Sequence, residues 1–97
     1  MRIVWTPQAI EDVEAIRNYI AQDSPRYGDH MVERIVEAVE RLEMFPRSGR
    51  VVPELKREAI REVIYGNYRI VYRVTELEAQ IITVFHAARR FTLPDGP

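Results

Sequence analysis

The sequence predicts an α+β domain: an N-terminal strand, a helical hairpin, then a three-stranded antiparallel meander, the sheet packing one face on the two helices. Three observations carry this. Apolar residues recur at helical spacing twice between residues 7 and 44, with a proline-marked break between the two runs. From residue 61 to residue 86 the pattern changes to alternating β-branched and aromatic residues, interrupted at Gly66-Asn67 and again from Thr75 to Glu78. A short apolar run, Arg2 to Trp5, stands before the first helix.

Thr6-Pro7 ends that first strand and opens a helix, because a threonine caps the free N–H groups and proline suits the first helical position. Ala9, Ile10, Val13, Ile16 and Ile20 make its apolar stripe and leave Glu11, Asp12, Glu14 and Asn18 toward solvent, so the helix runs from Pro7 to about Gln22. Ser24-Pro25 repeats the signal, and Tyr27, Met31, Ile35, Ala38 and Leu42 carry a second helix to near Met44. Beside that stripe lies a further row, Val32, Val36 and Val39, wider than one sheet contact needs. It either packs on the first helix or is left for a partner. His30, alone on this helix, is given no role.

FPRSGRVVPELKREA is broken by Pro46, Gly49 and Pro53 and reads as a loop with a short helical turn around Glu54 to Glu58. The hairpin around Gly66-Asn67 sets Tyr65 opposite Tyr68 and Ile64 opposite Arg69, which puts Val63, Tyr65, Tyr68, Ile70 and Tyr72 on the helix-facing side. Gln80 to His86 supplies the last strand, for four in the sheet.

A chain of 97 residues bounds the architecture to one domain, 1–97, with a modest core. It has no cysteine, no secretory signal and no long apolar run, so a cytoplasmic protein without disulfides, thiolate zinc or a membrane span is expected. No cofactor or metal is expected either, since neither a phosphate-cradling glycine loop nor a zinc-binding H-E-x-x-H is present. Residues 1 to 44 carry 5 basic and 9 acidic side chains, and residues 45 to 97 carry 9 and 6. The net charge of −1 argues against strong direct nucleic-acid binding, whose affinity rests on a marked basic excess.

The order β-α-α-loop-β-β-β, with FPRSGR, the REVIYGNYRIVYRV hairpin and the closing VFHAARRF, resembles the RelE/ParE superfamily of bacterial type II toxins over almost the whole chain. The likeness is to the ParE, or plasmid-stabilisation, branch. It implies a toxin that inhibits DNA gyrase by binding, and Arg89, Arg90 and Phe91 at the C-terminal end offer a compact cationic and aromatic surface for that contact. It also implies a ParD-like or other small antitoxin, held in a hetero-oligomer. The antitoxin's C-terminal segment would lie along Tyr27, Val32, Val36 and Val39 or along an open sheet edge.

The other branch of the superfamily cuts messenger RNA in the ribosomal A site. Such cleavage needs a base for the 2′-OH, an acid for the leaving oxygen and cations for the phosphate. The residues that match those roles by resemblance are Arg69, His86 and Glu54 or Lys56, while Ala87 and Ala88 stand where that branch keeps proton-transfer groups. Plainer accounts exist for each. Glu62, opposite Val71, is diagonal to Arg69 and Arg73 and offers both a surface ion-pair ladder, and His86 ends a strand among apolar residues. On this reading toxicity survives Arg69→Ala and His86→Ala but not truncation before Arg89.

Overall fold

The computed structural model describes residues 1–89 and Phe91. In chain order its elements are β1 (Arg2–Trp5), α1 (Pro7–Ala21), α2 (Pro25–Glu40), β2 (Arg50–Val51), β3 (Ile60–Tyr65), β4 (Tyr68–Val74) and β5 (Glu78–His86). The strands form one sheet in the order β1-β5-β4-β3-β2. All neighbours are antiparallel except β1 and β5, which run parallel with Arg2 beside Glu78 and Trp5 beside Ile81.

Both helices begin as their caps dictate. The Thr6 side-chain oxygen accepts from the Ala9 N–H at 3.2 Å, and Ser24 Oγ accepts from the Tyr27 N–H at 3.3 Å. The second helix is regular only to Glu40 and tightens into a 3₁₀ turn over Arg41–Glu43, short of the single helix to Met44 that the periodicity suggests. The two helices touch backbone to backbone at Gly28, where a Cβ would come within 2.8 Å of the Arg17 carbonyl oxygen. That contact turns the neighbouring Tyr27 outward. It is 68% exposed, not part of the core stripe.

The hairpin register is as expected, with Ile64 opposite Arg69 and Tyr65 opposite Tyr68. Gly66 takes a φ of +55° while Asn67 keeps a negative one, which fits a type II′ turn. Tyr68, Ile70 and Tyr72 pack on Ile35, Val39 and Leu42, with Val63 and Tyr65 at the margin. Tyr72 also closes the FPRSG segment: its hydroxyl donates to the Pro46 carbonyl at 2.8 Å and accepts the Gly49 N–H at 3.0 Å.

Among the described residues the sheet has five strands, not four, because Arg50–Val51 leaves the loop to pair with Glu62 and Arg61 of β3. Beyond it the chain folds over the sheet face that points away from the helices. Val52 and Leu55 join Ile60, Val71, Ile82, Phe85 and Phe91 in a second apolar cluster there. Covered on both faces, β4 is buried along nearly its whole length, as central strands between two layers are. The segment from Glu54 to Glu58 is not helical: the Leu55 and Lys56 N–H groups both donate to the Val52 carbonyl, and Lys56 ends that turn in the left-handed region with φ 53°.

The edge of β5 is covered by β1 only as far as Ile81. Past that point α1 takes over. Asp12, expected in solvent, instead accepts from the Thr83 hydroxyl at 2.5 Å and from the Val84 N–H at 3.0 Å. A short acidic side chain thereby satisfies a strand edge that lacks its neighbour. Asp12→Ala strands that N–H and is expected to lower stability by about 1–3 kcal/mol, read as a lower urea midpoint at unchanged m. Ile10, counted with the apolar stripe, is exposed.

Candidate functional site

Strand alternation decides which candidate residues meet. Arg69 is opposite Phe85, and Tyr68 is opposite His86, so Arg69 and His86 point to opposite faces of the sheet. His86 is on the helical side, exposed at the strand end, with the Tyr68 ring edge-on to it at 5.5 Å. Its Nδ1 accepts the Ala88 N–H at 3.0 Å, so the imidazole shapes the turn that follows the strand.

Arg69 is on the other face and is 8% exposed, next to a Glu62 that is 1% exposed. The surface ladder expected here is therefore a buried network. Arg69 Nε donates to Glu62 Oε1 at 2.5 Å, and its two terminal nitrogens donate as a fork to the Glu54 carboxylate, each at 2.8 Å. Arg50 Nε completes the set by donating to Glu62 Oε2 at 2.6 Å. With both oxygens of Glu62 engaged in this way, Arg73 forms no ion pair with it among the described residues. The guanidinium carbon also lies 5.2 Å from the Phe85 ring centre and 5.4 Å from that of Phe91.

The fork has an electrostatic consequence. The Arg69 guanidinium holds the Glu54 carboxyl down at about 2, and the carboxylates of Glu54 and Glu62 push Arg69 above its ordinary value. A carboxylate so acidic is a poor proton acceptor at neutral pH. Its contribution to stability is complete above about pH 4.5 and is lost as the pH falls toward about 2. Glu54→Gln is expected to flatten that limb of an acid-unfolding curve by losing the same contribution at neutral pH, a modest loss because the half-exposed carboxylate is screened by solvent.

Lys56 is exposed at the end of its turn and takes no part in the network. Of the four nuclease candidates, then, the structure unites Arg69 with Glu54 and leaves Lys56 and His86 apart. Sequence reasoning placed neither Glu62 nor Arg50 in a site. The signal for Glu62 is its place opposite Val71, on the face that also takes Val52 and Leu55 of VVPEL.

Among the binding candidates, Arg89 is exposed and Phe91 is half-buried against Phe85, while Arg90 lies outside the described residues. On the helices, Tyr27 is exposed and Val32 and Val36 are half-buried. Val39 is not available as surface. At 1% exposed it sits in the core, because helical spacing aligns it with Ile35 and Leu42. A groove of about 450 Å³ runs between α1 and the end of β5, lined by Asp12, Ile16, Tyr19, Tyr68, Val84 and Arg89 among others.

A family model described as "ParE toxin of type II toxin-antitoxin system, parDE" matches residues 3–91. The chain belongs to this toxin family. Among relatives of this ParE-family toxin, Toxin RelE2 of Caulobacter vibrioides is 36% identical over 88 residues, 91% of this chain and 97% of its own length. Putative toxin Y4kP of Sinorhizobium fredii is 34% identical over 92 residues, 93% of this chain and 92% of its own. Among solved structures, the ParE-family fold matches a chain of the chromosomal ParDE toxin-antitoxin system of P. aeruginosa with a TM-score of 0.73 and 26% identity, covering 89% of this chain and 95% of that one. It matches a chain of the RelBE2 toxin-antitoxin complex of Mycobacterium tuberculosis with a TM-score of 0.63, covering 88% and 95%; at 23% identity that likeness concerns the fold.

Proposed function

We propose that this ParE-family toxin acts in the cytoplasm by binding DNA gyrase and not by cutting RNA. The observation that supports this most is the separation of Arg69 and His86 by the thickness of the sheet. One phosphate cannot meet both side chains. In addition, the Arg69 fork is already filled by Glu54, so a phosphate would have to displace a carboxylate held by two charge-assisted hydrogen bonds. The target contact is assigned to the C-terminal end, with Arg89 and Arg90 as its cations and Phe91 as its aromatic anchor.

A cognate antitoxin, ParD-like or another small one, completes the functional unit as a hetero-oligomer. Its docking face is assigned to Tyr27 with Val32 and Val36 on α2, with the groove between α1 and the end of β5 as the alternative seat. A segment folding there stabilises the toxin by mass action, so the toxin is less stable free than bound.

Expressing the chain alone and scoring two readouts tests the proposal. DNA damage and loss of gyrase supercoiling, reversed by the antitoxin, are the expected result. Cleavage of messenger RNA at the ribosomal A site by the parent protein would overturn it and make Arg69 and Glu54 the place to look for the chemistry.

A further inference from the structure

We infer that Arg69 is a positioning residue, the seat on which the segment after β5 is fixed so that Arg89 is presented in one place. Four separate parts of the chain meet at its guanidinium: Glu54 from the loop after β2, Glu62 from β3, Phe85 from β5 and Phe91 from beyond β5. Taking an arginine and a glutamate out of water is costly, and apolar residues of similar size would pack there at least as well. The charge therefore calls for a role that apolar packing does not supply. Three hydrogen bonds, one through Nε and two through the fork, leave the guanidinium plane no freedom to rotate.

The aromatic geometry shows what that fixed plane holds. The centres of Phe85 and Phe91 are 5.5 Å apart, and each lies 5.2 to 5.4 Å from the guanidinium carbon. Two rings stacked on either side of the group would be nearly twice as far from each other. The three groups thus form a triangle, and Phe91 is held by a cation and a ring together.

At the other end of the segment the Ala87 N–H donates to the Asn67 carbonyl at 2.7 Å, and the Arg89 N–H donates to the His86 carbonyl at 2.9 Å. With Ala87 pinned and Phe91 held, the backbone at Ala88 and at the exposed Arg89 has little room to move. This inference rests on the reading that the C-terminal end meets the target.

Amide exchange on the full-length free toxin, with gyrase inhibition measured on the same samples, tests it. Phe91→Ala should speed exchange at Ala87, Ala88 and Arg89 by about tenfold with Ile35 and Val39 unchanged, and Arg69→Lys should speed exchange at the same three amides by about tenfold beyond whatever global loss Ile35 and Val39 register. The double variant should add little to the larger single effect, because both remove the same contact. Phe91→Trp, which keeps the ring, should restore protection. Inhibition should fall with protection and return with it. Unchanged exchange at Ala87 to Arg89 in both single variants overturns the seat whatever the toxin acts on. A loosened segment with undiminished inhibition overturns the link from Arg69 to the target. A loosened segment in a toxin whose parent never inhibits gyrase supports the seat and overturns the gyrase reading instead.

Discussion

Arg69→Ala is expected to destabilise the fold by about 3–5 kcal/mol, the range found when one partner of a buried ion pair is removed. The cause is Glu62, whose side chain is wholly buried and would keep only Arg50, itself mostly in solvent. Glu54 loses its fork at the same time, but it is half-exposed and can be hydrated. Urea unfolding of the variant should show a midpoint lowered at constant m. The paired variant Arg69→Met with Glu62→Met removes the stranded charge along with its partner and should recover most of the loss. If Arg69→Ala unfolds at the parent's midpoint, the network is not what holds this face. The expectation that toxicity survives Arg69→Ala is therefore to be tested where the variant remains folded, since activity lost through the fold has no bearing on catalysis.

Gly49→Ala should be nearly as damaging, at about 1–3 kcal/mol or somewhat more. A Cβ there would stand 2.6 Å from both the Glu62 carbonyl oxygen and the Tyr72 hydroxyl. One of those is backbone in the middle of a sheet and the other is fixed by two hydrogen bonds, so neither can move aside cheaply. Tyr72→Phe separates the two effects. It leaves space at Gly49 but strands the Gly49 N–H and the Pro46 carbonyl, at a cost of about 1–3 kcal/mol. Burial pushes the Tyr72 hydroxyl above its ordinary pKa, so this donor persists well into alkaline solution. Thermal unfolding of the two variants, singly and together, checks the argument: the losses should not add, since both disturb one contact.

Much of the fold was legible because its signals are local. Thr6-Pro7, Ser24-Pro25 and Gly66-Asn67 each fix a boundary by their own backbone chemistry, and the hairpin register follows from alternation alone. What escaped depends on contacts between distant segments. A two-residue strand such as Arg50–Val51 has no periodicity to read and exists only because β3 is beside it. Asp12 on a helix surface looks like any solvated carboxylate until the bare edge of β5 is known. The helical wheel named Val32, Val36 and Val39 together, but only the helix crossing at Gly28 decides that Tyr27 faces out, and only the packed core decides that Val39 faces in.

The same limit applies to the site. Arginine at position 69 reads alike whether it waits for a phosphate or is sealed in. The second layer that seals it comes from VVPEL, whose apolar residues sit in a stretch otherwise marked as loop by its prolines and glycine.

The parallel pairing of β1 with β5 ties the chain's first strand to its last, Arg2 beside Glu78. During synthesis, at about 5–20 residues per second, that partner is made several seconds after β1. Through that interval the helical hairpin has no finished sheet to close on, and a ribosome that stalls before residue 78 leaves a fragment lacking the strand at the sheet's second position. The sheet thus closes only once β5 has been made. A chain interrupted before β5 therefore cannot close this sheet, for a topological reason.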